Sequence, residues 1–139
     1  MLNNKLPMIV ISVIAALFST MNVWAVDLSH TRIHINDIYM ALLMTFWMIF
    51  LESIYTQSTN YILVGFIGIG VVIFLIRQQM YVTDNQFLRG MIPHHSMAIL
   101  MAQKIKEQSN DDKIIELADN IIENQKKEID YMSQLEKRK

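Results

Sequence analysis

The chain contains no cysteine, which removes disulfide frameworks and zinc–thiolate sites and leaves the redox compartment open. It has no surplus of either charge, with 12 Lys+Arg against 13 Asp+Glu. Without a basic patch, or basic residues interleaved with aromatics, it carries no footprint for nucleic acid. Catalytic signatures are missing as well. There is no HExxH, no GxSxG and no phosphate-cradling glycine loop. Nor is there any Glu-x-x-His pair of the kind that di-iron carboxylate bundles use. The chain therefore reads as a protein that is not an enzyme.

Charge is also scarce over the first half. Only five charged residues (Lys5, Asp27, Arg32, Asp37 and Glu52) precede Arg77, and the other twenty lie from Arg77 onward. Such asymmetry implies two environments, a transmembrane region over 1–77 and a soluble region over 78–139. Leu6 to Val26 is uncharged, and at about 1.5 Å per residue it is long enough for a hydrocarbon core of about 30 Å. Ile38 to Tyr55 is a second expected span, with Glu52 near its end. Tyr61 to Ile76 is a third, short but flanked by a snorkelling Arg77 and an interfacial Tyr61. Gly65, Gly68 and Gly70 suit closely packed membrane helices. Lys5 followed by an apolar run ending Val23-Trp24-Ala25 also matches a cleaved signal peptide, although its length favours a retained helix.

Beyond Arg77 the residues predict helices in water. Thr83-Asp84-Asn85-Gln86 forms a capping box, with Val82 and Phe87 placed as a hydrophobic staple. A helix therefore starts at Thr83, and Pro93 predicts a kink near Gly90–Pro93. Ser109-Asn110 supplies a turn and a fresh N-cap, and a second helix runs to about Lys137. In the first helix Phe87, Met91, His94, Ala98, Met101 and Ile105 recur at alternating intervals of four and three. In the second, Ile114, Ala118, Ile121, Gln125, Glu128, Met132 and Leu135 do the same. Folded as an antiparallel hairpin, these seams set His94 beside Gln125, Met91 beside Glu128, and Phe87 beside Met132. His95 flanks the seam, on a stripe with Leu88, Ile92 and Ile99. Polar groups on a seam are costly unless paired or bound. One reading is a His–Glu–Gln network that sets register. The other is a metal site, because imidazole and thioether together suit copper, particularly Cu(I).

The stretch Asp84-Asn85-Gln86-Phe87-Leu88-Arg89-Gly90-Met91-Ile92-Pro93-His94-His95, with Ala98 and Met101, resembles the domain-of-unknown-function 305 family. So does Ile121-Ile122 … Gln125 … Glu128-Ile129 … Met132. Tyr39-Met40-Ala41 with Met44, and Ile76-Arg77-Gln78-Gln79, look like its membrane-anchored branch. The resemblance implies a ferritin-like helical bundle and, in some members, copper binding that is often periplasmic and linked to copper tolerance. Met91, His94, His95, Met101, Gln125, Glu128 and Met132 match the family pattern, and Met97 is not a usual family position. Met91 and His94 are the expected primary ligands, with His95, Met97, Met101, Gln125, Glu128 and Met132 around them.

The expected fold is thus all-α: three transmembrane helices, about 6–26, 38–55 and 61–76, followed by an antiparallel two-helix hairpin of four-helix-bundle type. The expected function is that of a membrane-anchored copper-binding protein for sequestration or handover, with Cu(I) as the favoured ion. The competing function is an interaction module whose hairpin only oligomerises. Uncovered apolar stripes on both helices predict a homodimer or higher oligomer. Met40, Met44 and Met48 line one face of the second span, as lipid-facing surface or as a Cu(I) relay, and Glu52 is an intramembrane or interfacial carboxylate. His30 and His34 lie one helical turn apart in the first loop and could bind metal, although loop histidines seldom do. For side, Lys and Arg counts place the hairpin in the cytoplasm. The thiol-free ligand set and the resemblance place it outside a cytoplasmic membrane, and that is the expectation adopted.

Overall fold

A computed structural model describes residues 2–138, with side chains from Ile9 to Arg138; the side chain of Lys5 lies outside the described residues. Among the described residues the protein is all-α, with five helices. They are α1 (Leu2–Phe18), α2 (Ile35–Tyr55), α3 (Thr59–Arg77), α4 (Asp84–Gln108) and α5 (Asp112–Lys137). Two compact units form, one from the chain up to Thr20 with Ile35–Tyr81, the other from Met21–His34 with the chain from Val82.

In the first unit α2 packs against both α1 and α3. α2 and α3 have 21 and 19 residues and are apolar enough to cross a membrane. α1 does not extend to Val26 as the sequence predicts. It stops at Phe18 after 17 residues, about 26 Å, and Met21–Trp24 forms a 3-10 turn instead. Among the described residues two helices, not three, are therefore long and apolar enough to span. The break falls at Ser19-Thr20, whose short side chains compete for backbone hydrogen bonds. Ser19 N–H closes the last turn on Ala16 O at 3.1 Å.

Two glycines explain the close approach of α2 and α3. A Cβ on Gly65 would stand 2.8 Å from the Phe50 backbone, and one on Gly68 would enter the Phe46 ring. Tyr39 Oη donates to Met80 O at 2.5 Å, holding the end of the α3 connection to α2. Met40, Met44 and Met48 are all exposed on α2, along with Leu51 and Ile54. Such a surface matches apolar side chains facing lipid.

In the second unit Thr83 caps α4, its Oγ1 accepting from Gln86 N–H at 3.4 Å. α4 continues unbroken past the buried Pro93. The N-cap of α5 is Asp111, which accepts from Lys113 N–H at 2.9 Å. Ser109 instead ends α4, and its Oγ accepts from Asp111 N–H at 3.1 Å. α4 and α5 pack along each other. Lys106 pairs with Asp119 and His95 with Glu128.

The face that α4 turns inward is not the predicted seam. Leu88, Ile92 and Ile99 form the core with Ile129 and Met132, and Met91, Ile122 and Leu135 close around it. Phe87 and Met101, both on the predicted seam, are 53% and 56% exposed. Two apolar stripes compete on α4. The buried one carries branched Leu and Ile side chains and the small Ala102, which let α5 approach closely. The other carries His94, whose imidazole keeps its hydration at the surface.

The segment Met21–His34 covers a further face of α4. Ser96, fully buried, accepts from Val26 N–H at 2.9 Å, and its Oγ lies 2.9 Å from His30 Nδ1. Arg32 Nε donates to Glu136 Oε2 at 3.0 Å, and Arg89 Nε donates to Ile33 O at 3.1 Å. Asn22 brackets the segment by exchanging hydrogen bonds with both backbone groups of Arg32.

Candidate metal centre

The polar group at the middle of the α4–α5 interface is His95. Its side chain is mostly buried, and Nδ1 stands 2.9 Å from Glu128 Oε2. The ring N–H is not in line with that oxygen, so the contact falls short of an aligned hydrogen bond. Burial pushes the His95 imidazole below its ordinary 6.5, and the Glu128 carboxylate, which raises it, offsets that only in part. Near neutral pH the ring is thus uncharged, the form that ligates metals.

Two thioethers lie one helical turn along the interface from this pair. Met91 lies one helical turn before His95 on the same face of α4 and packs against the core cluster. Met132 lies one turn beyond Glu128 on α5 and is itself buried in that cluster. With Glu128 on Nδ1, the Nε2 atom of His95 is the ring nitrogen left for an ion. A carboxylate on the far nitrogen is the usual partner of a ligating histidine, fixing its tautomer and raising its basicity.

The other predicted residues are placed differently. His94 is exposed, its ring 6.0 Å from that of His95, centroid to centroid. Gln125 is half-buried on α5, one turn before Ile129. Met97 is half-buried on another face of α4. Met101 lines an open apolar groove of about 610 Å³ toward the α4–α5 connection, with Ala98, Ile105, Ile114 and Leu117. The structure pairs His95 with Glu128 and packs Met91 with Met132 one helical turn away, and leaves Met97 and Met101 outside that group.

Among the described residues no three His, Asp or Glu side chains form a ready cage for a metal ion. The fit therefore rests on a soft donor set. One neutral imidazole and two sulfurs, with no thiolate and only one carboxylate, suit Cu(I) and not the oxygen-seeking divalent ions.

The sequence sets His30 and His34 aside as loop histidines, and they belong to this same unit. His30 meets Ser96, and His34 is buried against Gly90 of α4. Their one-turn spacing is compatible with metal binding, but only the path of the Met21–His34 segment brings them to α4.

Residues 75–136 match Domain of unknown function (DUF305). The chain is 40% identical over 141 residues to "Uncharacterized protein L153" of Acanthamoeba polyphaga mimivirus, covering 96% of this chain and 93% of that protein. No solved structure matches. The chain belongs to the domain-of-unknown-function 305 family.

Proposed function

We propose that the protein is a membrane-anchored copper-binding protein, which holds Cu(I) for sequestration or handover. The observation that carries this reading is the His95–Glu128 contact at 2.9 Å, one helical turn along the interface from the packed thioethers Met91 and Met132. In this reading His95, Met91 and Met132 hold the ion. Glu128 orients the imidazole and tunes its basicity, acting as a positioning residue. Cu(I) itself would supply a soft, exchangeable cargo and no chemical step.

Anchoring falls to α2 and α3, the two helices of sufficient length and apolarity. Two crossings return the chain to the side from which it left. Met21–His34 and the helices after Val82 then lie on one side, as their common unit requires. We place that side away from the cytoplasm, because a thiol-free His/Met set tolerates oxidising surroundings.

α4 and α5 are read as an antiparallel hairpin of ferritin-like character, and the groove around Met101, Ile105, Ile114 and Leu117 as the face on which a second copy completes a four-helix bundle. That groove also favours the second reading, a metal-free interaction module. Competition for Cu(I) against a chromogenic chelator separates the two. Copper binding lost in His95→Ala and in Met91→Leu/Met132→Leu supports the metal reading; a wild-type chain that leaves all copper on the chelator supports the module.

A further inference from the structure

His94 is the one histidine of the pair that the His95 site leaves aside, and Gly90 lies one helical turn before it. Side chains on an α-helix lean toward its N-terminus, so His94 reaches back over residue 90. There it meets no side chain. The space beside Gly90 is taken instead by the ring of His34, whose Nδ1 is 3.4 Å from where a Cβ would stand, with Cγ and Cε1 at 3.6 Å. Cβ positions four residues apart on a helix are about 5–6 Å apart, so an imidazole on His94 that leans back over Gly90 approaches the face of α4 where the His34 ring lies. Met97, three residues beyond His94, is on the same side of α4 and is half-buried.

We propose that His34, His94 and Met97 form a second soft-metal site for Cu(I), beside the His95 site and separate from it. His34 comes from outside the residues matched by the family. The segment Met21–His34 thus serves as a strap that delivers a ligand to α4. Its anchors are Ser96, Glu136 and the Arg89–Ile33 hydrogen bond. Two imidazoles and one thioether match the preferences of Cu(I). Gly90 leaves room for His34: a Cβ there would already touch the ring at 3.4 Å, so the further carbons of a leucine would enter its space.

The test titrates the full chain in detergent micelles with Cu(I) held by a chelator of known affinity. The wild type is expected to take two equivalents. His34→Asn and Gly90→Leu are each expected to take one, with unchanged helical circular dichroism, and the ring protons of His95 should still shift on copper addition. Leu is a good helix former, so Gly90→Leu closes the space beside residue 90 without removing a polar group and checks the result obtained with His34→Asn. Two equivalents in both variants would overturn the second site, as would a single wild-type equivalent that depends on His95 and not on His34. Either result leaves the His95 reading standing. One equivalent that survives His95→Ala and is lost in His34→Asn would instead sink the His95 reading and uphold this one. No copper uptake by the wild type would end both.

Discussion

Replacing Ile99 by Ala tests the assignment of the inward face of α4. Ile99 is 1% exposed and sits in the cluster with Leu88, Ile92, Ile129 and Met132. The substitution deletes three carbon groups at about 0.8 kcal/mol each, and the cavity left in a closely packed interface adds to this. A loss of about 3–4 kcal/mol follows, within the range of about 2–5 kcal/mol seen for such truncations. Met101→Ala removes a side chain that is already 56% exposed, so it should cost under about 1 kcal/mol. Hydrogen exchange of the α4 and α5 amides in the full chain, in mild detergent under added urea, measures both. The reasoning fails if Met101→Ala destabilises α4 as much as Ile99→Ala does at protein concentrations where the chain is monomeric. That outcome would restore the seam through Phe87, Met101 and Ile105 as the true interface.

Four further outcomes follow from contacts in the two units. Because burial holds the His95 pKa below 6.5, the unfolded chain binds its proton first as pH falls. Stability contributed by the neutral ring is therefore complete above about 6.5 and declines below it, down to the lowered folded value; urea midpoints from pH 8 to 5 check this sign, and His95→Phe should flatten the slope. Glu128→Gln removes the charge that raises that pKa, so an NMR titration should find it lower still, with Cu(I) affinity weaker by about 10–100-fold. Ser96→Ala strips Val26 N–H and His30 of their buried partner. It should cost about 1–3 kcal/mol and speed amide exchange across Met21–His34 while leaving the α5 amides protected. Gly65→Ala forces a methyl to within 2.8 Å of the Phe50 backbone, and should separate α2 from α3 at a cost of about 1–3 kcal/mol, read as a lower thermal transition in micelles.

Local signals were the legible part of this sequence. The Thr83 cap, the stretch around Met91–His95 that carries the family resemblance, and the end of α5 at Lys137 all depend on neighbours within a few residues. The choice between stripes on α4 did not, since Phe87/Met101/Ile105 and Leu88/Ile92/Ile99 have similar periodicity and only packing against α5 selects one. That selection turns His95 inward and His94 outward, which no spacing argument distinguishes. α1 was read too long because Ser19 and Thr20 do not interrupt an apolar run by charge, only by hydrogen-bonding habit. The strap from Met21 to His34 was illegible for a different reason. Its partners Ser96, Arg89 and Glu136 lie 56 to 104 residues away along the chain.

The central claim, that thioethers and the Glu128-backed His95 hold Cu(I), is tested most directly on the methionine methyl groups. Eleven methionines labelled at the methyl carbon report every sulfur in one spectrum of the full chain. Addition of the first equivalent of Cu(I) should move the Met91 and Met132 signals together with the His95 ring, and leave Met40, Met44 and Met48 in place. Movement of the α2 methionines with Met91 and Met132 unchanged, or no movement at all, would contradict the account.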